Sequence, residues 1–149
     1  LWAGLTYSGH PVCCATAVAN LKVYEEEDLF HNVEVQGEYL RQRLERLKAA
    51  SSFVGDVRCI GLFSVIEFVK DKATKEPLAP YNGTSPEMAQ IVAHLKKNHV
   101  YAFSRFNLLF VCPPLIITRE ELGQGLDVIE SALQILEQTA EPQLAATVA

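Results

Sequence analysis

Val54-Gly-Asp-Val-Arg-Cys-Ile60, then Gly61, then Leu62-Phe-Ser-Val-Ile-Glu-Phe-Val-Lys70 reads as two strands turning about one glycine. In the second run Phe63, Val65 and Val69 fall on one face and Leu62, Ile66 and Phe68 on the other. A strand apolar on both faces is covered on both faces. Glu67 inside it is therefore expected to be a half-buried carboxylate, read as a satisfied core group and not as a catalytic base.

Upstream of Ser51 and Ser52 the period changes to that of a helix. Leu29, Val33, Leu40, Leu44 and Leu47 recur on one stripe, with Gly37 on the same side and Asp28 placed to cap. A glycine there costs about 1 kcal/mol against alanine, which close contact with another helix is expected to offset. This is expected to be the longest helix. Glu25 to Glu27 before it read as a solvated turn, and Pro11 opens an earlier helix on Cys14, Ala17, Val18, Leu21 and Tyr24. Its small residues Ala15, Ala17 and Ala19 suit close packing on a larger body. Residues 1–10 read as a loop.

Downstream, residues 71–84 carry Pro77, Pro80, Asn82 and Gly83 and read as an exposed excursion. Ser85-Pro86-Glu87 is a helix start, and that helix runs to Lys97 on Met88, Ile91, Val92 and Leu95. Short strands follow near 100–103 and 108–111. Cys112-Pro113-Pro114-Leu115 ends the second, since proline cannot donate to a ladder. Thr118-x-x-Glu121 is a capping box for a last helix on Leu122, Leu126, Ile129, Leu133 and Leu136. The tail from Ala140 is expected to fray. The order predicts an α+β layer: a small antiparallel or mixed sheet with helices on one side.

Composition narrows the function classes. The 149 residues are 49% hydrophobic and 21% charged, enough for a core, and the net charge is -5 without a Lys/Arg stripe. Nucleic acid and anionic membrane are poor partners for such a chain, and no apolar run is long enough to span a bilayer. Cys13, Cys14, Cys59 and Cys112 form no C-x-x-C pair, so they read as small buried hydrophobes of a reducing, cytoplasmic compartment. His10, His31, His94 and His99 lack metal-ligand spacing. Leu1 is not an initiator, and the chain is expected to be a fragment or processed piece.

Three stretches carry a resemblance. They are Leu5-Thr-Tyr-Ser-Gly-His-Pro11 with the helix after it; Gly61-Leu-Phe63 through Glu67 and on to Pro77; and Arg105-x-Asn107 followed by Pro113-Pro-Leu-Ile-Ile-Thr-Arg119. In this order and spacing they resemble the class III, pyridoxal-phosphate-dependent aminotransferases, in the ω-amino acid:pyruvate branch, over roughly residues 5–138. The resemblance implies the small C-terminal domain of the fold-type-I aminotransferases over residues 28–139, with residues 1–27 ending the large cofactor domain and 140–149 a frayed tail. It implies a homodimer whose active sites are shared across the interface. Thr6, with Leu5 beside it, would bind the phosphate of pyridoxal 5'-phosphate held by the other subunit. A hydroxyl and backbone N–H groups on a tight turn before a helix suit a phosphate dianion. Read without the resemblance, Thr6 is an ordinary loop residue and Ser8 an N-cap. Arg119 would bind the substrate carboxylate, for which a planar guanidinium fork is suited, and would swing aside for uncharged groups. The bland alternative is an exposed arginine in a first helical turn, which the helix dipole mildly disfavours. Gly9, His10 and Pro11 shape the loop.

The resemblance also says what is missing. The Schiff-base lysine lies a few tens of residues before the Thr6 loop in the family, as does the aspartate paired with the pyridine nitrogen. Neither position exists here, and Lys22, Lys48, Lys70, Lys72, Lys75, Lys96 and Lys97 sit on predicted polar faces or loops. No catalytic residue is therefore assigned within the chain. The implied reaction moves an amino group from an amine or ω-amino acid donor to a keto acid such as pyruvate, and the chain alone is expected to be inactive. Some relatives instead decarboxylate or move an amino group within one molecule. Outside that reading stand a non-catalytic module binding a small carboxylate near Arg119, and an oligomerisation fragment. Exposure of the first helix's small-residue face would favour the last.

Overall fold

The computed structural model describes the backbone of residues 4–147 and the side chains through residue 138. The elements are α1 (Pro11–Glu26), α2 (Leu29–Ala50), β1 (Val54–Ile60), β2 (Phe63–Asp71), β3 (Glu76–Pro77), α3 (Pro86–Lys97), β4 (Phe103–Arg105), β5 (Leu108–Val111) and α4 (Arg119–Thr147). The sheet order is β1-β2-β5-β4, with β3 pairing β2, and every pairing is antiparallel. The fold is α+β, as the periods predict. No helix among the described residues is long and apolar enough to cross a membrane.

One face of the sheet carries the core. Ile66, Phe68 and Leu109 are fully buried with Leu40 and Leu44 of α2, Ile91 and Leu95 of α3, and Leu133 and Leu136 of α4. The other face is only partly covered. The register places Val65, Phe110 and Phe103 in one row across it, and Phe63 packs on Phe110 edge-on at 6.3 Å. Val65 is buried beneath these rings, whereas Ile60, Phe63 and Phe103 are exposed. The expected two-sided cover of β2 is thus complete on the helical side alone. Glu67 sits on the open side, half-buried and paired with Arg58 at 2.8 Å.

Both predicted caps form. Ser85 Oγ accepts from the Met88 N–H at 3.2 Å. Glu121 accepts from the Thr118 N–H at 3.0 Å, and Thr118 Oγ1 accepts from the Glu121 N–H at 3.3 Å. Each satisfies donors that a helix start leaves open. Asp28 does not cap in this way. It precedes α2 in the left-handed region at φ 47°, and its side chain makes no capping bond; a short polar side chain tolerates that backbone, which turns α1 into α2. His10, not Ser8, occupies the N-cap position of α1.

Other expectations are corrected. α4 (Arg119–Thr147) has 29 residues to the 22 of α2, so α2 is not the longest helix. β4 begins at Phe103, three residues later than expected, because His99 takes a left-handed turn and the strand pairs only where it meets β5. The excursion after β2 is not wholly exposed. Leu78 and Ala79 are buried in the core, and the Leu78 N–H donates to the Phe68 carbonyl. Gly37 does allow a close approach, but to backbone of the β1–β2 turn: a Cβ there would lie 2.8 Å from the Cα, C and O atoms of Gly61.

α1 starts at Pro11 as predicted but buries no residue. Val12, Val18 and Leu21 are exposed. Its neighbour is α2, through the Tyr24–Phe30 ring contact at 5.7 Å.

On the surface of α2, Arg41 donates to both oxygens of Glu38, at 2.9 and 2.7 Å. These bonds, with a further one from Gln42, hold the Glu38 pKa down at about 2. A depressed folded-state pKa contributes stability above the unfolded value of 4.5, and that contribution is lost as pH falls toward 2. A carboxyl-carbon NMR titration is expected to show Glu38 still ionised at pH 3. A midpoint near 4.5 would mean that the pair does not persist in solution.

Candidate functional site

The loop before α1 folds as two overlapping turns. The Ser8 N–H donates to the Leu5 carbonyl at 2.9 Å and the His10 N–H to the Tyr7 carbonyl at 3.1 Å. Gly9 takes φ 76°, which glycine adopts without strain. The Tyr7 and His10 rings meet at 5.6 Å. This leaves the N–H groups of Leu5, Thr6 and Tyr7, and the Thr6 hydroxyl, without an acceptor among the described residues. The turn is exposed and stands at the positive end of α1, so its free donors form a set suited to an oxyanion.

Arg119 opens α4 at the other end of the chain. Its Nε–H donates to Gln36 Oε1 at 3.0 Å. Gln36 Nε2 donates to Asn32 Oδ1 at 3.2 Å, and Asn32 Nδ2 donates to the carbonyls of Leu115 and Ile117 at 2.7 and 3.1 Å. The relay ties the Pro113-Pro114-Leu115 turn and the start of α4 to α2. The guanidinium also lies over the Tyr39 ring, 4.4 Å from its centroid. Tyr39 is fixed from below by Arg43, whose Nη1 donates to the Tyr39 hydroxyl at 2.8 Å while Nε and Nη2 hold Glu130 and Nη2 holds Asp127 at 2.6 Å. Burial of Arg43 works against its charge, and the bonds to Asp127, Glu130 and Tyr39 outweigh it and push its pKa up.

The charges differ in what neutralises them. Arg41, Arg43 and Arg58 each contact carboxylates. Among the described residues Arg119 contacts none. Nor do Arg46, which donates to the Gln42 carbonyl at 3.3 Å, and Arg105, which stacks on Phe106 at 4.9 Å. Asn107, the third residue of the same motif, is committed to structure: its Nδ2 donates to the Phe68 carbonyl at 2.9 Å.

No lysine here is suited to nucleophilic work. None is buried. The Asp56 hydrogen bond raises the Lys48 pKa and the Glu76 hydrogen bond raises that of Lys70, opposite to what an amine nucleophile needs. Of the four cysteines expected to be buried, Cys59 alone is partly so, and burial pushes its thiol up, away from thiolate; Cys13 and Cys14 on the uncovered α1 and Cys112 beside the proline turn are exposed. No cluster that could hold a metal is present among the described residues.

Thr6 and Arg119 thus lie on separate elements, and no hydrogen bond or ion pair joins them among the described residues. Sequence reasoning missed Asn32, Gln36 and Tyr39. Their spacing of four and three, a polar stripe beside the apolar face of α2, is the signal that could have found them.

Residues 2–133 match the family model described as aminotransferase class-III. A probable gamma-aminobutyrate transaminase 4 of Oryza sativa is 35% identical over 136 residues, covering 91% of this chain and 27% of that protein. An isoleucine 2-epimerase of Lentilactobacillus buchneri is 35% identical over 133 residues, covering 89% and 28%. Among solved structures, taurine:2-oxoglutarate aminotransferase from Bifidobacterium kashiwanohense, in complex with PLP and glutamate, superposes with a TM-score of 0.83 at 39% identity, covering 91% of this chain and 30% of that one. The chain spans under a third of the length of each.

Proposed function

Given that the chain belongs to the class III aminotransferases, we propose that it supplies the small domain, a cofactor-phosphate contact and a substrate-carboxylate contact to a pyridoxal-phosphate-dependent amino-group transfer. The amino group passes from an amine or ω-amino acid to a keto acid such as pyruvate, in a homodimer with shared active sites. The observation that carries this reading is the Thr6 turn. Its hydroxyl and three uncommitted N–H groups fit a phosphate dianion. Pyridoxal phosphate, when bound, supplies the electron sink that lets an amino group and a carbonyl oxygen exchange places. The roles of this chain are binding and orientation. Thr6 and Leu5 hold a phosphate against the start of α1, and Arg119 offers a fork to a substrate carboxylate.

A second placement of the carboxylate contact has its own support. An arginine that must swing aside cannot be tied down. Arg119 is held by Gln36 and Tyr39, whereas the Arg105 side chain stacks on Phe106 and has no hydrogen bond or ion pair among the described residues. Similarity to a protein named isoleucine 2-epimerase supports keeping open a reaction within one molecule. The exposed face of α1 is what an oligomerisation fragment would present; a chain that spans under a third of its relatives' length presents it as well.

One experiment tests these assignments together. The 149-residue chain alone is expected to show no transamination of an amine with pyruvate, and the same residues within a complete class III enzyme are expected to support it. There, Thr6→Ala should weaken cofactor binding about tenfold or more, the worth of one hydrogen bond to a charged group. Arg119→Gln should raise the keto acid KM with less effect on kcat. Turnover by the isolated chain would defeat the argument from the missing lysine. An effect of Arg105→Gln in place of Arg119→Gln would move the carboxylate contact to β4.

A further inference from the structure

We propose that Phe106, backed by Tyr81, is a positioning residue for Arg105: its ring orders the guanidinium while leaving the charge and every N–H free for a small carboxylate. The inference rests on the second of the two carboxylate placements, the one at Arg105.

Arg105 and Leu108 pair across the ends of β4 and β5, so Phe106 and Asn107 form a two-residue turn. Phe106 takes φ 56°. Turns of this length reach positive φ with glycine, asparagine or aspartate. A bulky ring there departs from turn chemistry and costs free energy. Asn107 would tolerate that backbone better, yet of the two only Phe106 adopts it. The surroundings hold it there. The Phe68 N–H donates to the Asn107 carbonyl at 2.8 Å, and Asn107 Nδ2 donates to the Phe68 carbonyl at 2.9 Å. The same Phe68 carbonyl accepts from the Leu78 N–H at 3.1 Å, which anchors the segment carrying Tyr81. In that segment the Gly83 N–H closes a turn on the Pro80 carbonyl at 2.9 Å, with Asn82 at φ 57°. Two turns distant in sequence are thus tied to one strand residue, and the Tyr81 and Phe106 rings meet at 5.0 Å, inclined by 52°.

What the ring does is visible in Arg105. Its Cζ lies over the Phe106 ring, 4.9 Å from the centroid. The residue is exposed, and its side chain has no hydrogen bond or ion pair among the described residues. Contact with a ring face consumes no N–H, so all five guanidinium donors remain. The ring is uncharged, so the positive charge remains as well. Arg41, Arg43 and Arg58 are held instead by carboxylates, which satisfy and neutralise them together. Tyr81 is 80% exposed and adds nothing to the core; its ring contact is Phe106. An ordered cation with a free planar fork is matched by a planar acceptor with two oxygens, that is, a small mono-carboxylate such as an α-keto acid. Ordering the fork beforehand removes part of the entropy that binding would otherwise cost. At an exposed site such a stack changes affinity by a factor of about two to five.

Two measurements separate the ring from the arginine, each variant being checked for folding by thermal melting. The first is NMR on the 149-residue chain. The Arg105 δ-methylene and Nε–H protons are expected to be displaced by the Phe106 ring current. Phe106→Leu, which keeps an apolar side chain on the same backbone, should return them to ordinary arginine positions. Phe106→Tyr should keep the displacement, and Tyr81→Leu should reduce it. The second is steady-state kinetics with pyruvate in a complete class III enzyme carrying these residues. There Phe106→Leu should raise the pyruvate KM about two- to fivefold with little change in kcat. Phe106→Tyr should restore the native KM, and Arg105→Gln should raise it tenfold or more. Arg105 resonances at ordinary positions in the native chain, or unmoved by Phe106→Leu, overturn the positioning role. So does an unchanged KM in Phe106→Leu beside a raised one in Arg105→Gln, or an equal rise in Phe106→Tyr. Resonances unmoved by Tyr81→Leu overturn the part given to Tyr81. An unchanged KM in Arg105→Gln defeats the carboxylate placement instead, and the ring-current readout still reports separately whether Phe106 holds the guanidinium.

Discussion

Gly37→Ala should destabilise the chain by about 3 kcal/mol, lowering Tm by roughly 6–12 °C for a domain of this size. The added methyl would stand 2.8 Å from three backbone atoms of Gly61. None of them is the end of a flexible side chain that could swing away. Gly61 lies between Ile60 and Phe63, which pair with each other and pin the turn, and it already holds φ 54°. It cannot retreat along its own Cα either, since a Cβ built there would come within 2.7 Å of Val33. The methyl must therefore push α2 off the β1–β2 turn, disturbing Leu40 and Leu44 in the core. Alanine's better helix propensity returns about 1 kcal/mol, which the estimate includes. Chemical or thermal denaturation measures the net effect. A variant melting within two degrees of the native chain would show that α2 can shift without loss, and that the contact does not fix the helix on the sheet.

Phe68→Ala should cost more, about 3–5 kcal/mol. Phe68 is fully buried at the centre of β2, facing the helices. Its backbone is a junction as well. The Phe68 N–H donates to the Asn107 carbonyl at 2.8 Å, and its own carbonyl accepts from the Leu78 N–H and from Asn107 Nδ2. The β4–β5 turn and the buried end of the excursion both hang on its backbone, so relaxation around the lost ring would pull on both. Phe63→Ala on the open face is the control. That ring is already more than half exposed, and its loss should cost about 1 kcal/mol or less. Equal losses at both positions, measured by denaturant titration, would mean that the two faces of β2 have been assigned wrongly.

What the sequence revealed was local. The 3.6-residue period marked the buried stripes of α2, α3 and α4, and the serine and threonine caps marked where α3 and α4 begin, because a cap is made by residues within one turn of each other. The two strands about Gly61 were legible for the same reason. What remained hidden depends on partners far along the chain. Nothing near Leu78 and Ala79 says that they pack in the core; that follows from pairing with β2. Gly37 announced a close approach, but the atoms it approaches are set by how α2 lies across the turn. The relay through Gln36 and Asn32 joins groups 83 to 85 residues apart. Thr6 and Arg119 were singled out by resemblance, and the structure supplies each with its local chemistry: free donors at one, neutral anchorage at the other.

α1 is helical with no side chain to hold it in a core. Its 16 residues stand close to the length at which an isolated helix in water is only marginally formed, and Val12, Val18 and Val23 do not favour it. Thr16 turns its hydroxyl back onto the Val12 carbonyl, a bond that strains a helix more than it supports one. Its order in this chain is therefore expected to follow a helix–coil equilibrium. Amide hydrogens of α1 would exchange with solvent through local fraying, while those of α2 wait for the whole domain to open. The boundary between the two regimes falls at Asp28, one residue whose backbone turns the wrong way for a helix and leaves sixteen residues tied to α2 through the Tyr24–Phe30 contact.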